Sequence, residues 1–173
     1  MKLRGIGIGS MLYGLGYGFA RPDFASAEVD VAFDGSVTLR NGASELGQGL
    51  RTILCQLGAD ELGVRFEEVS LISADTEKTP DSGPVSASRA TYVQGNAVIK
   101  ACRDLKARLG EVATELLDTP PERLVFRNGH VHDGESPSAS VPFTTLASEA
   151  HARGRRFQGY GWHSSTTPGV DPE

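Results

Sequence analysis

Cysteine is scarce in this sequence of 173 residues, which contains only Cys55 and Cys102. Each lies in a segment whose apolar spacing predicts a helix, and two such cysteines make neither a disulfide framework nor a Cys-x-x-Cys or zinc motif. Reduced thiols buried in a core are therefore the expected state. A cytoplasmic location fits that expectation.

Long basic and apolar runs are also missing. The longest basic run is Arg153-Gly154-Arg155-Arg156 and the formal net charge is -5, which argues against a nucleic-acid partner. No stretch is long and apolar enough to cross a membrane. The first 27 residues imitate a secretory signal, but six glycines and Arg21-Pro22-Asp23 interrupt them, so we expect no signal peptide.

Two nucleotide-binding motifs are absent from the chain. It has no Gly-x-x-x-x-Gly-Lys phosphate loop, and its N-terminal glycines do not form Gly-x-Gly-x-x-Gly, so nucleotide hydrolysis and a Rossmann cofactor are disfavoured. His130 and His132 would share a strand face. Because they follow Asn128-Gly129, we interpret them as hairpin surface rather than as metal ligands.

Glycine, in contrast, is plentiful, with 21 residues that occur in clusters. Gly5, Gly7 and Gly9 alternate with apolar residues in a segment, 4–18, that we expect to be extended. Such alternation is typical of a strand packed closely against another backbone.

Two hairpins are predicted from alternating apolar residues around turn signals. Residues 27–33 and 37–39 alternate on either side of Asp34-Gly35, which predicts a hairpin with a two-residue turn. Asn128-Gly129 gives the second signal, between Phe126 and Val131.

Helices and further strands follow from apolar spacing and stop signals. A helix over 50–62 ends at Gly63, and a long helix runs from 86–88 to about Leu117, continuous or broken at Gly110. A short helix is predicted over 143–152, and strands over 69–72 and 157–161.

This order of elements predicts an α+β fold, with a mixed sheet and hairpins packed against two main helices. We expect residues 1–118 to form the core of the lobe. Residues 119–173 would add a small hairpin and helix extension of the same lobe.

The first candidate site is the loop from Gly42 to Gly49, between a strand end and a helix start. Gly47 and Gly49 flank Gln48, so the backbone can turn sharply and bring its amides close to a ligand, and the helix N-terminus favours an anion. Gln48 offers both a donor and an acceptor. An ordinary glycine-assisted turn, with Glu45 as a surface charge, is an equally open interpretation.

The second candidate site runs from Pro80 to Thr91 and also leads into a helix. Ser86 or Ser88 is suited to cap that helix, and the small residues around Ala87 leave room for a bulky ligand. Arg89 has the forked geometry that pairs with phosphate. A salt bridge from Arg89 to Asp81 or Glu45 remains the alternative.

These motifs together resemble the molybdenum-cofactor-binding subunit of the xanthine dehydrogenase and aldehyde oxidase family. The resemblance is carried by Glu45-Leu46-Gly47-Gln48-Gly49 and by Pro80-Asp81-Ser82-Gly83-Pro84 with Ala87-Ser88-Arg89, about forty residues downstream. Asp75-Thr76 and Gly95 add to it. It covers most of the chain and weakens after about Glu122.

The resemblance implies a cofactor and a reaction. Family members hydroxylate aldehydes or N-heterocycles with water as the oxygen source, using a molybdopterin cofactor, while iron–sulfur clusters and FAD lie on other domains or subunits. Gly47, Gln48 and Gly49 would contact the pterin and phosphate portion. Ser86, Ala87, Ser88 and Arg89 would pass near the pterin and metal, mostly through backbone amides.

The resemblance also implies that this chain does not act alone. The family's catalytic glutamate lies in a segment that this sequence does not contain, so no residue here is assigned as catalytic, Glu45 included. We expect partners in the remaining lobes of the same large subunit, the iron–sulfur and flavin components and a small-molecule substrate. A non-catalytic interaction module and a generic phosphate or nucleotide binder are the alternatives.

Overall fold

The structure, a computed structural model, describes residues 2–17, 21–136, 138–155 and 157–165. Three α-helices, two short 3-10 helices and seven strands alternate irregularly along this part of the chain. The strands are β1 (Phe24–Val31), β2 (Val37–Asn41), β3 (Val69–Ser73), β4 (Leu124–Arg127), β5 (His130–Asp133), β6 (Ser140–Pro142) and β7 (Gln158–Ser164). The helices are α1 (Leu50–Leu62), α2 (Ala90–Leu117) and α3 (Phe143–Ala152).

The main sheet is mixed, with strand order β3-β2-β1-β7. β1 runs antiparallel to both of its neighbours, whereas β2 and β3 are parallel and are connected through α1. The predicted α+β class with a mixed sheet is confirmed. The parallel pair matters for function, because the carboxyl ends of adjacent parallel strands lie at the same edge of a sheet.

The first hairpin forms as predicted, but its turn is longer than two residues. The last residue pair of the ladder is Val31 with Val37, and the Ala32 amide donates to the Ser36 carbonyl at 2.8 Å. The Asp34 carboxylate accepts hydrogen bonds from both the amide and the hydroxyl of Ser36, which favours this wider loop. Phe33, predicted in the strand, is exposed in the loop.

The long helix α2 packs across β1 and β7 and also contacts α1. It starts at Ala90, slightly later than predicted, and continues without a break through Gly110. Gly159 and Gly161 of β7 allow this close approach: a Cβ atom added at Gly161 would lie 2.0 Å from the Ala97 carbonyl oxygen. Cys102 is fully buried in α2 and Cys55 is buried in α1; both are free thiols, as expected.

A second, antiparallel sheet has the order β4-β5-β6. Asn128 and Gly129 connect β4 to β5 with φ angles of 53° and 71°, as a hairpin of the predicted type requires. The final strand then returns to the main sheet and pairs with β1. The division of the lobe into a core (1–118) and an extension (119–173) stays a prediction. Strand β7 of the extension pairs with β1 of the core.

The N-terminal glycine segment differs from its prediction. Residues 2–17 form no strand, and a Cβ atom added at Gly5, Gly7 or Gly9 would have no neighbour within 4 Å. Among the described residues of this chain, the expected packing against another backbone is therefore wrong. Ile6, Ile8 and Leu12 are almost completely exposed.

No helix in the described ranges is long and apolar enough to span a lipid bilayer.

Candidate functional site

The two candidate loops follow the two parallel strands, and this places them side by side. Residues 42–49 follow β2 and residues 74–89 follow β3. The Gly42 amide donates to the Ser82 hydroxyl at 2.8 Å, and that hydroxyl donates to the Ser26 carbonyl at 2.8 Å. Gly42 has no room for a side chain, since an added Cβ atom would lie 2.7 Å from the Pro80 carbonyl oxygen. The loops are thus joined at their bases.

A buried polar network extends this joint into the sheet. Asn41 is completely buried at the end of β2; its amide group donates to the Ser26 carbonyl, and its carbonyl oxygen accepts from the Ala43 amide. Ser26 in turn hydrogen-bonds to the Asp81 carbonyl. Because buried polar groups are costly to leave unpaired, these bonds fix the relative position of the two loops.

The Gly47-Gln48-Gly49 turn is shaped as predicted, but Glu45 occupies the amides of both glycines. Gly47 and Gly49 have φ angles of 102° and 77°, which favour glycine. The Glu45 carboxylate accepts hydrogen bonds from the amides of Gly47, Gly49 and Arg51, at 2.7, 3.0 and 3.1 Å. These bonds, with that from Arg51 first, lower the pKa of Glu45.

Glu45 therefore corrects the prediction for this loop. The anion at the N-terminus of α1 is a carboxylate of the protein itself, so the two glycine amides are not open to a phosphate and Glu45 is more than a surface charge. Contact of Gly47, Gln48 and Gly49 with a cofactor stays a prediction. Gln48 braces the same loop: its side-chain oxygen accepts from the Leu46 amide at 2.6 Å, and its side-chain nitrogen donates to the Ser44 carbonyl at 3.2 Å.

The second loop has an unusual backbone before α2. Ala87 and Ser88 are consecutive non-glycine residues with φ angles of 53° and 50°. Such left-handed residues cost about 1–2 kcal/mol each, so the surroundings must hold them in place. The predicted cap by Ser86 or Ser88 is wrong: the N-cap position is Arg89, and no side chain within the described ranges caps α2.

Arg89 is a structural cation rather than an exposed phosphate ligand. Its side chain is 0% exposed and forms an ion pair with Asp23. Its other guanidinium nitrogens donate to the carbonyls of Pro84 and Phe24. Both sequence-based interpretations of this side chain, phosphate pairing and a salt bridge to Asp81 or Glu45, are therefore wrong.

The residues of both loops line one pocket of about 440 Å³. This volume lies in the range of small-molecule and cofactor sites. Leu46 and Gln48 form one wall, residues 85–91 form the other, and Tyr13 contributes from the N-terminal segment. The pocket thus opens onto the uncapped first turn of α2, where backbone amides and the helix dipole favour an anion.

The N-terminal segment is the part of the site that sequence reasoning missed. The Gly16 amide donates to the Ala87 carbonyl at 2.8 Å, and the hydroxyls of Tyr17 and Ser86 hydrogen-bond to each other. The Tyr17 amide also donates to Asp23 at 3.0 Å. The contacts with Ala87 and Ser86 join residues about seventy positions apart, and no local pattern predicts such pairs.

The whole sequence, residues 1–173, matches a family described as the molybdopterin cofactor-binding domain. This chain belongs to that family. The pocket that opens onto the N-terminus of α2, which has no side-chain cap within the described ranges, is compatible with this family.

Individual proteins are also similar to this chain in sequence. The chain is 33% identical over 125 residues to the 6-hydroxypseudooxynicotine dehydrogenase complex subunit gamma of Paenarthrobacter nicotinovorans, covering 72% of this chain and 15% of the relative. It is 35% identical over 115 residues to the xanthine dehydrogenase of Drosophila subobscura, covering 66% of this chain and 9% of the relative.

Solved structures share the fold of this molybdopterin-binding domain. Quinoline 2-oxidoreductase from Pseudomonas putida 86 superposes with a TM-score of 0.76 at 26% identity, over 83% of this chain and 19% of that one. The aldehyde oxidoreductase from Desulfovibrio desulfuricans gives a TM-score of 0.62 at 28% identity, over 88% and 14%. The chain thus spans less than a fifth of these proteins.

Proposed function

We propose that this domain binds the anionic portion of a molybdopterin cofactor at the N-terminus of α2, within a larger molybdenum hydroxylase. The observation that carries the proposal is the contrast between the two helix starts. Glu45 fills the N-terminus of α1, while the first turn of α2 has no side-chain cap and opens into the 440 Å³ pocket. An anion is the natural ligand for such amides.

The residues around the pocket fit such a group. Ala87 and Ser88 present small side chains and a left-handed backbone, so a flat ring system can approach the main chain closely. Gln48 lies on the opposite wall. When bound, the cofactor would supply the metal centre for hydroxylating an aldehyde or an N-heterocycle with water as the oxygen source, while this domain's residues bind and orient it.

We assign the partners of this domain to the rest of the same enzyme: its remaining lobes and its iron–sulfur and flavin components. The N-terminal segment supports this assignment. Its large apolar residues between Leu3 and Leu15 are more than half exposed, as is typical of a surface that contacts another protein part. The small-molecule substrate would approach the cofactor from those other lobes.

Thr91 allows a direct test of the proposal. It is exposed in the first turn of α2 and lines the pocket. In the native protein that contains this domain, Thr91→Glu would place a carboxylate beside the amides that the cofactor needs, whereas Thr91→Gln has the same size without the charge. We expect the purified Thr91→Glu protein to contain at least about tenfold less molybdenum and pterin than Thr91→Gln, because a tenfold loss needs only about 1.4 kcal/mol.

The same pair of variants separates binding from folding. A carboxylate in the first turn of a helix stabilises it by about 0.3–1 kcal/mol, so Thr91→Glu should unfold no earlier than Thr91→Gln. Equal cofactor content in the two variants would contradict the placement of the anionic portion of the cofactor at the N-terminus of α2. A wild-type protein without molybdenum or pterin would contradict the function itself.

A further inference from the structure

A single buried ion pair connects two of the segments that line the pocket, the N-terminal segment and the loop before α2, to the main sheet. The carboxylate of Asp23 and the guanidinium of Arg89 are 2% and 0% exposed. Asp23 precedes β1, Arg89 ends the left-handed loop, and the second carboxylate oxygen of Asp23 accepts the Tyr17 amide. The pair therefore joins the N-terminal segment, the main sheet and the loop before α2.

The bonds of Arg89 bracket the strained part of that loop. Its guanidinium donates to the carbonyl of Pro84, while its own backbone amide donates to the Ser86 carbonyl at 3.3 Å. Ala87 and Ser88, with φ angles of 53° and 50°, lie in the chain between the Ser86 carbonyl and the Arg89 amide. The third guanidinium nitrogen donates to the Phe24 carbonyl, so the loop is fastened to the first strand.

Tyr17 is held by the same pair. Besides the amide bond to Asp23, its ring lies with its centre 5.6 Å from the Arg89 guanidinium carbon, at a cation–π distance. Its hydroxyl reaches Ser86, and the neighbouring Gly16 amide reaches the Ala87 carbonyl. Gly16 has a φ angle of 76°, and an added Cβ atom would lie 2.7 Å from the Asp23 carboxylate, so a side chain there would strain the backbone and displace that carboxylate.

We infer that Asp23 and Arg89 are a positioning pair for the cofactor pocket. They hold the Ala87–Ser88 backbone in its left-handed form and fasten residues 13–17 beside it, without contacting the cofactor through their side chains. A buried pair is not needed for stability alone, because apolar residues of similar volume often replace such pairs without loss. The inference rests on the proposed function.

The test compares variants in the native protein that contains this domain. Arg89→Lys keeps the charge, but one ammonium group cannot donate along the three directions that the guanidinium uses. We expect it to retain about tenfold less molybdenum and pterin after gel filtration, because relaxation of one left-handed residue is enough for that change. Arg123→Lys, which alters the ion pair with Asp133 in the second sheet, is the matched control and should retain wild-type content.

A double variant separates positioning from stability. Asp23→Leu combined with Arg89→Met removes both charges and leaves no uncompensated ion, so the protein is expected to fold even if Arg89→Lys does not. With a thermal unfolding midpoint near that of the wild type, it should still lose about tenfold in cofactor content.

Two outcomes would overturn the inference, and they differ from each other. If the wild type carries molybdenum and pterin and a folded Arg89→Lys or double variant carries as much, the pair does not position the site. If the wild type carries neither, the proposed function fails and the inference fails with it.

Discussion

Glu45 shows how one carboxylate changes the meaning of a glycine-rich turn. Its oxygens accept the amides of Gly47, Gly49 and Arg51, so helix α1 begins with an internal anion. A sequence shows that glycines allow a sharp backbone turn, but it does not show which acceptor the amides of that turn bond to. The acceptor here is two residues before the first glycine, a spacing that can be sought in related loops.

Glu45→Gln should destabilise the domain at neutral pH, and the effect should depend on pH. The pKa of Glu45 is lowered in the folded state, so its stabilisation is present above the unfolded-state pKa and is lost as the pH falls through the folded-state pKa. We expect the difference in urea midpoint between wild type and Glu45→Gln to shrink from about pH 6 to about pH 3. A difference that stays constant over this range would contradict the role of the charge.

Arg89 illustrates a second limit at the scale of residues. A forked cation in a loop of small residues is typical of phosphate recognition, and this pattern made the side chain a candidate ligand. The side chain instead points into the protein and meets Asp23, 66 positions away. Such a pairing depends on the folded strand order, which local sequence does not contain.

At the scale of elements, apolar spacing predicts most of the helices and hairpins. The bounds of α1 and α3 were predicted correctly, and so was the second hairpin, because each combines a periodic apolar face with a clear stop or turn signal. The alternating glycines that pack closely against another backbone lie in β7 rather than in the N-terminal segment. Gly159 and Gly161 form the close backbone contact that we expected of Gly5, Gly7 and Gly9.

Gly161→Ala should disrupt the contact between α2 and β7. The new Cβ atom would lie 2.0 Å from the Ala97 carbonyl oxygen and 2.4 Å from the Ala101 amide nitrogen, and neither backbone atom can move alone. We expect a loss of about 3 kcal/mol or more in the free energy of unfolding, measured by urea denaturation. Gly9→Ala, which meets nothing within 4 Å, is the control and should change stability little.

At the scale of the whole molecule, the second sheet contacts the main body where α1 ends. Gly63 caps α1 with a φ angle of 69°, and its carbonyl accepts the Gly129 amide at 2.6 Å. A Cβ atom added at Gly63 would lie 2.4 Å from the Phe126 carbonyl oxygen of the second sheet. One residue therefore serves as a helix stop, as predicted, and as the contact between α1 and the second sheet, which the helix pattern does not predict.

Gly63→Ala should loosen the second sheet from the main body. Gly154→Ala is the matched control, since Gly154 has a φ angle of 65° but no neighbour within 4 Å. The control should lose about 1–2 kcal/mol from backbone strain alone, and Gly63→Ala clearly more. Hydrogen exchange of the β4–β6 amides should accelerate only in Gly63→Ala, and equal acceleration in both variants would refute the contact role.

The pocket as a whole was predictable in part. The order of β2, α1 and β3 brings the two loops to one edge, so their shared pocket follows from topology once the parallel pairing is known. The positions of Tyr13 in the pocket wall and of Tyr17 beside Arg89 do not follow from this topology, because residues 2–17 form no helix or strand.

The pairing of β1 with β7 has a consequence for synthesis on the ribosome. Asp30 pairs with Gln158, about 130 residues later, and translation at roughly 5–20 residues per second needs roughly 6–26 seconds to bridge that gap. Throughout that interval β7 is not yet synthesised, so the edge of β1 that pairs with β7 in the folded domain lacks that partner strand. A chaperone that shields unpaired strand edges would therefore improve the yield of this domain.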